Sequence, residues 1–182
     1  MFDEKEIIQR CLNHERKAQK LLYDHFAPGL LGVCIIHTGN RLEAEDVLQE
    51  GFVKVFTNLK SFEGKSSLAA WMRRIMINTA ITRFYKYRKH EHHRDIDDLK
   101  ETNAGEYELS EIEFTREELM QVIRQLPDGY RMVFNLYAIE GYMHREIAEM
   151  MKIDVNTSKS QYSRARNLIQ CKLHKLAEEK KY

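Results

Sequence analysis

The chain is patterned for helices almost throughout. In the clearest stretch, AEDVLQEGFVKVFTNL, small or apolar residues recur at three- and four-residue steps: Ala44, Val47, Leu48, Gly51, Phe52, Val55, Phe56 and Leu59. That spacing puts one buried stripe on an α-helix and leaves Asp46, Gln49, Glu50, Val53 and Lys54 outside it. Upstream, the pattern predicts helix from about Lys5 to Phe26, interrupted near Asn13, with a fresh start after Pro28 and Gly29. Downstream, LAAWMRRIMINTAITRFYKYRK predicts a long helix after Gly64, capped by Ser66 or Ser67. Helical pattern resumes at Thr115, stops at Leu126 before Pro127, restarts in GYRMVFNLYAIE and stops again at Gly141. Almost nothing alternates as a strand would, so the expected fold is all-α.

After Gly141 the spacing predicts a helix-turn-helix. Ile147, Ala148 and Met151 face inward from a short first helix, and KIDV makes the turn. Asn156 or Thr157 caps a second helix whose inner face is Val155, Tyr162, Ala165, Ile169, Leu173 and Leu176. Lys159, Ser160, Gln161, Ser163, Arg164 and Arg166 then point out or along the edges. These side chains suit a DNA major groove, where Lys and Arg neutralise phosphates or reach guanine and Gln pairs with adenine.

Charge divides the chain further. From Trp71 to Arg94 there are seven Lys or Arg against one Glu, from Asp95 to Glu118 ten acids against two bases, and from Asn156 to Tyr182 seven bases against two acids. Two basic surfaces thus flank an acidic stretch that holds Asn103, Ala104 and Gly105 and shows no sustained stripe. The 182 residues accordingly read as two small helical domains, 1–94 and 115–182, joined by a flexible acidic linker, 95–114. Twenty linker residues reach up to about 66 Å, enough for the domains to occupy separate sites on one nucleic acid.

Other chemistry is absent from the pattern. Cys11, Cys34 and Cys171 match no metal or disulfide spacing and read as reduced thiols. The longest apolar run, Leu30 to Ile36, is too short to cross a bilayer, and no signal-peptide pattern precedes it, so the expected location is cytoplasmic. KHEHHR, from Lys89 to Arg94, lacks the helical spacing and carboxylate partner of a metal site and reads as a basic helix end. No phosphate-binding loop and no nucleophile–base pair is present. The expectation is a non-enzyme with no cofactor, no metal and no small-molecule substrate.

Three segments in order resemble the extracytoplasmic-function sigma factors, the small two-domain kind that directs bacterial RNA polymerase to promoters. AEDVLQEGFVKVF is similar to that family's polymerase-binding segment, and FEGKSSLAAWMRRIMINTA to its strand-opening segment. LPDGYRMVFNLYAIEGYMHREIAEMM with NTSKSQYSRAR is similar to its reader of the upstream, minus-thirty-five, element. The resemblance implies that Asp46, Gln49, Glu50, Val53 and Lys54 dock a coiled coil of the polymerase's largest subunit. It implies that the loop around Phe62, Gly64 and Lys65, with Asn78, captures a base flipped from the non-template strand of the minus-ten element. Flipping costs a few kcal/mol, returned by hydrogen bonds and apolar contact in a pocket. Arg73 and Arg74 fall to phosphates, and Arg83, Tyr85 and Lys86 combine cations with an aromatic face suited to single strands. Thr157, Lys159, Ser160, Gln161, Ser163, Arg164 and Arg166 fall to the upstream duplex. The acidic linker would thread a basic channel of the polymerase as a phosphate mimic, and an anti-sigma factor is an expected further partner.

The chain departs from the family pattern at four places. Lys152 stands where a turn Gly is usual, and Ser158 where a branched apolar residue packs under the recognition helix. Tyr137 replaces a basic phosphate contact of some relatives, and Gln161 a frequent Arg. The alternative reading is a stand-alone helix-turn-helix regulator with an N-terminal dimerisation or sensing domain.

Overall fold

The computed structural model describes residues 3–90 and 113–180, with side chains described for all of them except 87–90. Every element assigned among these residues is helical. The chain forms two compact units, Met1–Arg83 and Phe84–Tyr182. The division falls inside a long helix and does not bear on the linker expected at 95–114, of which only Glu113 and Phe114 are described.

In the first unit α1 (Glu4–Leu12) is capped by Asp3, whose carboxylate accepts from the amides of Lys5 and Glu6. The break expected near Asn13 is present: Asn13 ends α1 and His14 turns the chain at φ +58°. The expected break at Pro28 is not. α2 (Arg16–Thr38) runs unbroken through Pro28 and Gly29. A proline inside a helix costs about 3 kcal/mol. Here Pro28 lies on the exposed face, beside solvent, while Ala27, Leu30, Val33 and Cys34 are buried on the other. Full burial of one Leu or Val returns about 1.5–3 kcal/mol, so continuing the helix outweighs the loss of one backbone bond. Burial also pushes the Cys34 thiol up to about 12, which keeps it protonated and inert.

Gly39, at φ +83°, closes α2, and Asn40 opens α3 (Arg41–Asn58) by accepting from the Glu43 amide at 2.9 Å. This tight link folds α2 and α3 into a packed pair. The α3 stripe is buried as its spacing requires: Ala44, Val47, Leu48, Gly51, Phe52 and Val55, then Leu59 in a short 3-10 turn, with Phe56 half-buried. Gly51 carries a specific demand. A Cβ added there would lie 2.1 Å from the sulfur of Met76, so absence of a side chain lets α3 approach α4 (Leu68–His90). Ser67, one of the two residues expected to cap α4, does so through the Ala70 amide at 3.2 Å.

In the second unit α5 (Arg116–Arg124) starts with a Thr115–Glu118 capping box, and α6 (Asp128–Phe134) follows Pro127. A π-helical turn, Asn135–Ile139, leads to Gly141 at φ +77°. Arg131 is buried and donates to the carbonyls of Leu126 (2.9 Å) and Arg124 (3.2 Å) and to the Asp128 carboxylate (2.5 Å), tying the end of α5 to α6. Then come α7 (His144–Met150) and α8 (Val155–Glu179), the expected helix-turn-helix. One detail differs. The cap of α8 is Asp154, which accepts from the Asn156 amide at 2.7 Å, so the helix begins before Asn156 and Thr157. Asp serves a cap as well as Asn, and Val155 inside the first turn gains half-burial.

Candidate polymerase and promoter interfaces

α3 presents its outer face as the spacing demands: Asp46, Gln49 and Val53 are exposed, and Glu50 and Lys54 are half-buried. The half-burial has a cause in α4. Lys54 Nζ lies 2.8 Å from Glu50 and 3.2 Å from the Thr79 hydroxyl, while Arg83 lies 2.9 Å from Asp46 and 4.0 Å from Glu50. The side chains form one charged lattice across the two helices. Arg83, which the sequence reading set among the single-strand contacts, therefore has its side chain only 19% exposed and paired to α3. Thr79 was missed. Its only signal was a polar residue on the inner side of α4, and its hydroxyl also donates to the Ile75 carbonyl.

On α4, Arg74, Asn78 and Lys86 are exposed, and Thr82 between them is exposed as well. Steps of four residues put the four side chains on one face, along about 18 Å of helix. Asn78 thus has its amide in solvent with donor and acceptor both available to a base edge. Arg73 is half-buried, off that face. Tyr85 is half-buried, edge-on to Phe84 at 5.2 Å. In the loop before α4, Phe62 is half-buried against Trp71, ring centroids 5.4 Å apart, so Trp71 supports the loop. Gly64 turns at φ +71°, a region that favours glycine, and Lys65 is exposed beside Glu63. The His cluster expected to be a basic helix end, Lys89 to Arg94, lies outside the described side chains.

On α8 as far as Arg166 the exposed side chains are Asn156, Lys159, Ser160, Ser163, Arg164 and Arg166, with Thr157 half-buried. Lys159, Ser163 and Arg166, spaced i, i+4, i+7, form one row of the outer face, and Asn156, Ser160 and Arg164, spaced i, i+4, i+8, form the other. Arg164 has its Nη1 3.4 Å from the Tyr130 hydroxyl. Gln161 is different: it is half-buried, and its Oε1 is shielded from water with no hydrogen-bond partner among the described residues. The reason is register, since Gln161 stands between the buried Ser158 and Ala165 on the inner side of α8.

Two departures from the family pattern compensate one another. Ser158 is fully buried, yet its hydroxyl is 2.9 Å from His144 Nδ1, so the polar group under the recognition helix is satisfied. His144 stacks on Tyr137 at 4.4 Å, and Tyr137 packs against Tyr162 at 4.5 Å, so Tyr137 braces α8 where a basic residue was the alternative. Burial, and then the charge of Lys159, hold the His144 imidazole below its ordinary pKa. Lys152 makes the turn at φ +45° without being glycine.

Among the described residues no group of three or more His, Cys, Asp or Glu could hold a metal ion, and no helix is long and apolar enough to cross a membrane. Two profiles match the two surfaces: Sigma-70 region 2 over residues 22–90 and Sigma-70, region 4 over residues 116–169. The chain belongs to the sigma-70 family of RNA polymerase sigma factors. Within it the chain falls in the extracytoplasmic-function group. It is 30% identical to the RNA polymerase sigma-H factor of Pseudomonas aeruginosa, covering 97% of this chain and 96% of that one. It is 31% identical to the ECF RNA polymerase sigma-E factor of Escherichia coli, covering 93% and 94%. The fold of the sigma factor RpoE of Bartonella quintana, solved with the anti-sigma factor NepR, superposes with a TM-score of 0.52 at 23% identity, over 85% of this chain and 95% of that one. A sigma factor binds core RNA polymerase and promoter DNA and is itself no enzyme. The match to region 2 displaces the alternative of a stand-alone regulator.

Proposed function

We propose that this sigma factor divides initiation between three of its surfaces. The outer face of α3, with Asp46, Gln49 and Val53 foremost, docks the coiled coil of the polymerase's largest subunit, Glu50 and Lys54 contributing from its edge. The loop at Phe62, Gly64 and Lys65 and the exposed face of α4 at Arg74, Asn78 and Lys86 take the unpaired non-template strand of the minus-ten element. Arg73 and Tyr85 border that face. α8 enters the major groove of the minus-thirty-five element as duplex, with Lys159, Ser163 and Arg166 along one row, Ser160 and Arg164 along the other and Thr157 at the start.

The observation that carries the reading is the partition of polar side chains on α4 and α8. Along α4 from Arg74 to Lys86, and along α8 as far as Arg166, one side of the helix is covered and the side chains left in solvent are cations, amides and hydroxyls. Apolar side chains there would support a protein partner instead. Arg83 acts on this reading as a brace between α4 and α3, and Gln161 as a packing residue that gains a base contact only by changing rotamer. Working on core polymerase places the protein in the cytoplasm, and residues 95–114 thread the polymerase between the two DNA contacts. An anti-sigma factor binding this chain is a further expected partner; the Bartonella quintana factor was solved with one.

The test is initiation in vitro from a promoter library by purified core polymerase, with and without this chain. The expected result is a small set of promoters used only in its presence. Asn78→Ala then lowers open-complex formation on those promoters and leaves upstream duplex binding unchanged. Loss of both activities together, or of neither, would show that α4 does not take the single strand.

A further inference from the structure

Leu42 is the most exposed large apolar side chain among the described residues, at 80%, and Val53, at 65%, is the next on the same helix. Leu42, Asp46, Gln49 and Val53 recur at steps of four, three and four, and all are exposed. This is the spacing by which one helix meets another along a seam. It runs about 16 Å, from the first turn of α3 to Val53. Each end of the seam is apolar and its middle is polar.

Beside it lies a groove of about 480 Å³ between α2 and α3, lined by Tyr23, Ala27 and Leu31 on one side and Glu45, Leu48 and Gln49 on the other. Gln49 belongs to both seam and groove, and Glu45 follows Leu42 by one turn. The middle of the seam is acidic in its outermost charge: Asp46 keeps 58% of its side chain exposed while its partner Arg83 keeps 19%, and Glu45, 43% exposed, is paired to Arg41 at the start of the helix. Such a surface fits a helical partner with Arg or Lys in the middle and an apolar residue at each end.

We infer that Leu42 is a second apolar anchor for the largest-subunit coiled coil, so that the docking seam spans α3 from its first turn to Val53. The inference rests on the proposed reading of α3 and lengthens it by about one turn. Leu42 is outside the core, so its replacement leaves the fold intact and the effect is read in binding alone.

The experiment is competition of unlabelled variants of the full chain against the labelled wild-type chain for purified core polymerase, with thermal melting to check folding. Leu42→Ser is expected to weaken binding about tenfold with an unchanged melt, as for an apolar side chain that leaves water on docking. Leu42→Met is expected to stay within about twofold of wild type, because the contact asks only for an apolar side chain of similar volume. If Leu42→Ser competes like wild type while Val53→Asp does not, Leu42 is no anchor and the α3 reading stands. If Leu42→Ser, Val53→Asp and Gln49→Arg all compete like wild type, the α3 face is not the docking surface, and the inference falls with it. Equal weakening by Leu42→Ser and Leu42→Met also overturns it, since the loss would not then track apolar burial.

Discussion

Arg164 lies in one row of the α8 outer face, and replacing it by alanine separates a phosphate contact from a packing role. Its guanidinium is exposed and reaches the Tyr130 hydroxyl only at 3.4 Å, near the long limit of a hydrogen bond. A phosphate would offer that side chain an ionised acceptor where Tyr130 offers a neutral one. A charged hydrogen bond to phosphate contributes about 1.5–3 kcal/mol, so Arg164→Ala should weaken duplex binding roughly tenfold at low salt. Each phosphate neutralised adds about 0.9 to the log–log dependence of affinity on salt. Raising salt fourfold should therefore narrow the gap between wild type and variant by about 3.5-fold, to a residual near threefold. The assay is fluorescence anisotropy of a labelled minus-thirty-five duplex titrated with holoenzyme at about 50 and about 200 mM salt. A ratio that stays constant across salt refutes the phosphate contact. If Tyr130→Phe then reproduces the loss, Arg164 acts by holding α6 against α8.

Three further expectations concern the supports of these surfaces. Lys152→Gly should stabilise the second unit by about 1 kcal/mol relative to Lys152→Ala, or roughly 4–8 °C in Tm, because φ +45° penalises any side chain; equal melts would remove that penalty. Gly51→Ala should destabilise the first unit by about 1–2 kcal/mol in urea unfolding, since the methyl displaces the buried Met76 sulfur and better helix propensity offsets only part of the strain; a stabilised variant would mean Met76 repacks freely. His144 has its pKa lowered in the fold, so the unfolded chain takes up a proton first as pH falls. Stability of the second unit should therefore be complete above about 6.5 and decline below it, and His144→Phe should flatten that decline; an unchanged pH profile would clear His144 of responsibility.

Helix type, the α3 stripe, the helix start at Thr115, the cap at Ser67 and the helix-turn-helix were legible from the residues, because local spacing and capping chemistry act within four residues of themselves. So was the division of α8 into an inner and an outer face, apart from Gln161, where the amide of a long polar side chain gave no hint that register turns it inward. The family resemblance rested on the same local patterns, and the matches at residues 22–90 and 116–169 cover the segments that carried it.

What sequence alone determined, then, was where each helix lies and which of its sides is apolar. Only tertiary structure decided what happens where two helices meet. Pro28 reads as a stop until the burial on the far side of α2 is weighed against one lost bond. Arg83 reads as a free cation until Asp46, thirty-seven residues away, is found 2.9 Å from it. Ser158 reads as a defect until His144 supplies its hydrogen bond. For Arg83 and Ser158 the deciding partner is distant along the chain, and for Pro28 it is burial that only packing against other helices supplies; the energy of a contact depends on separation in space.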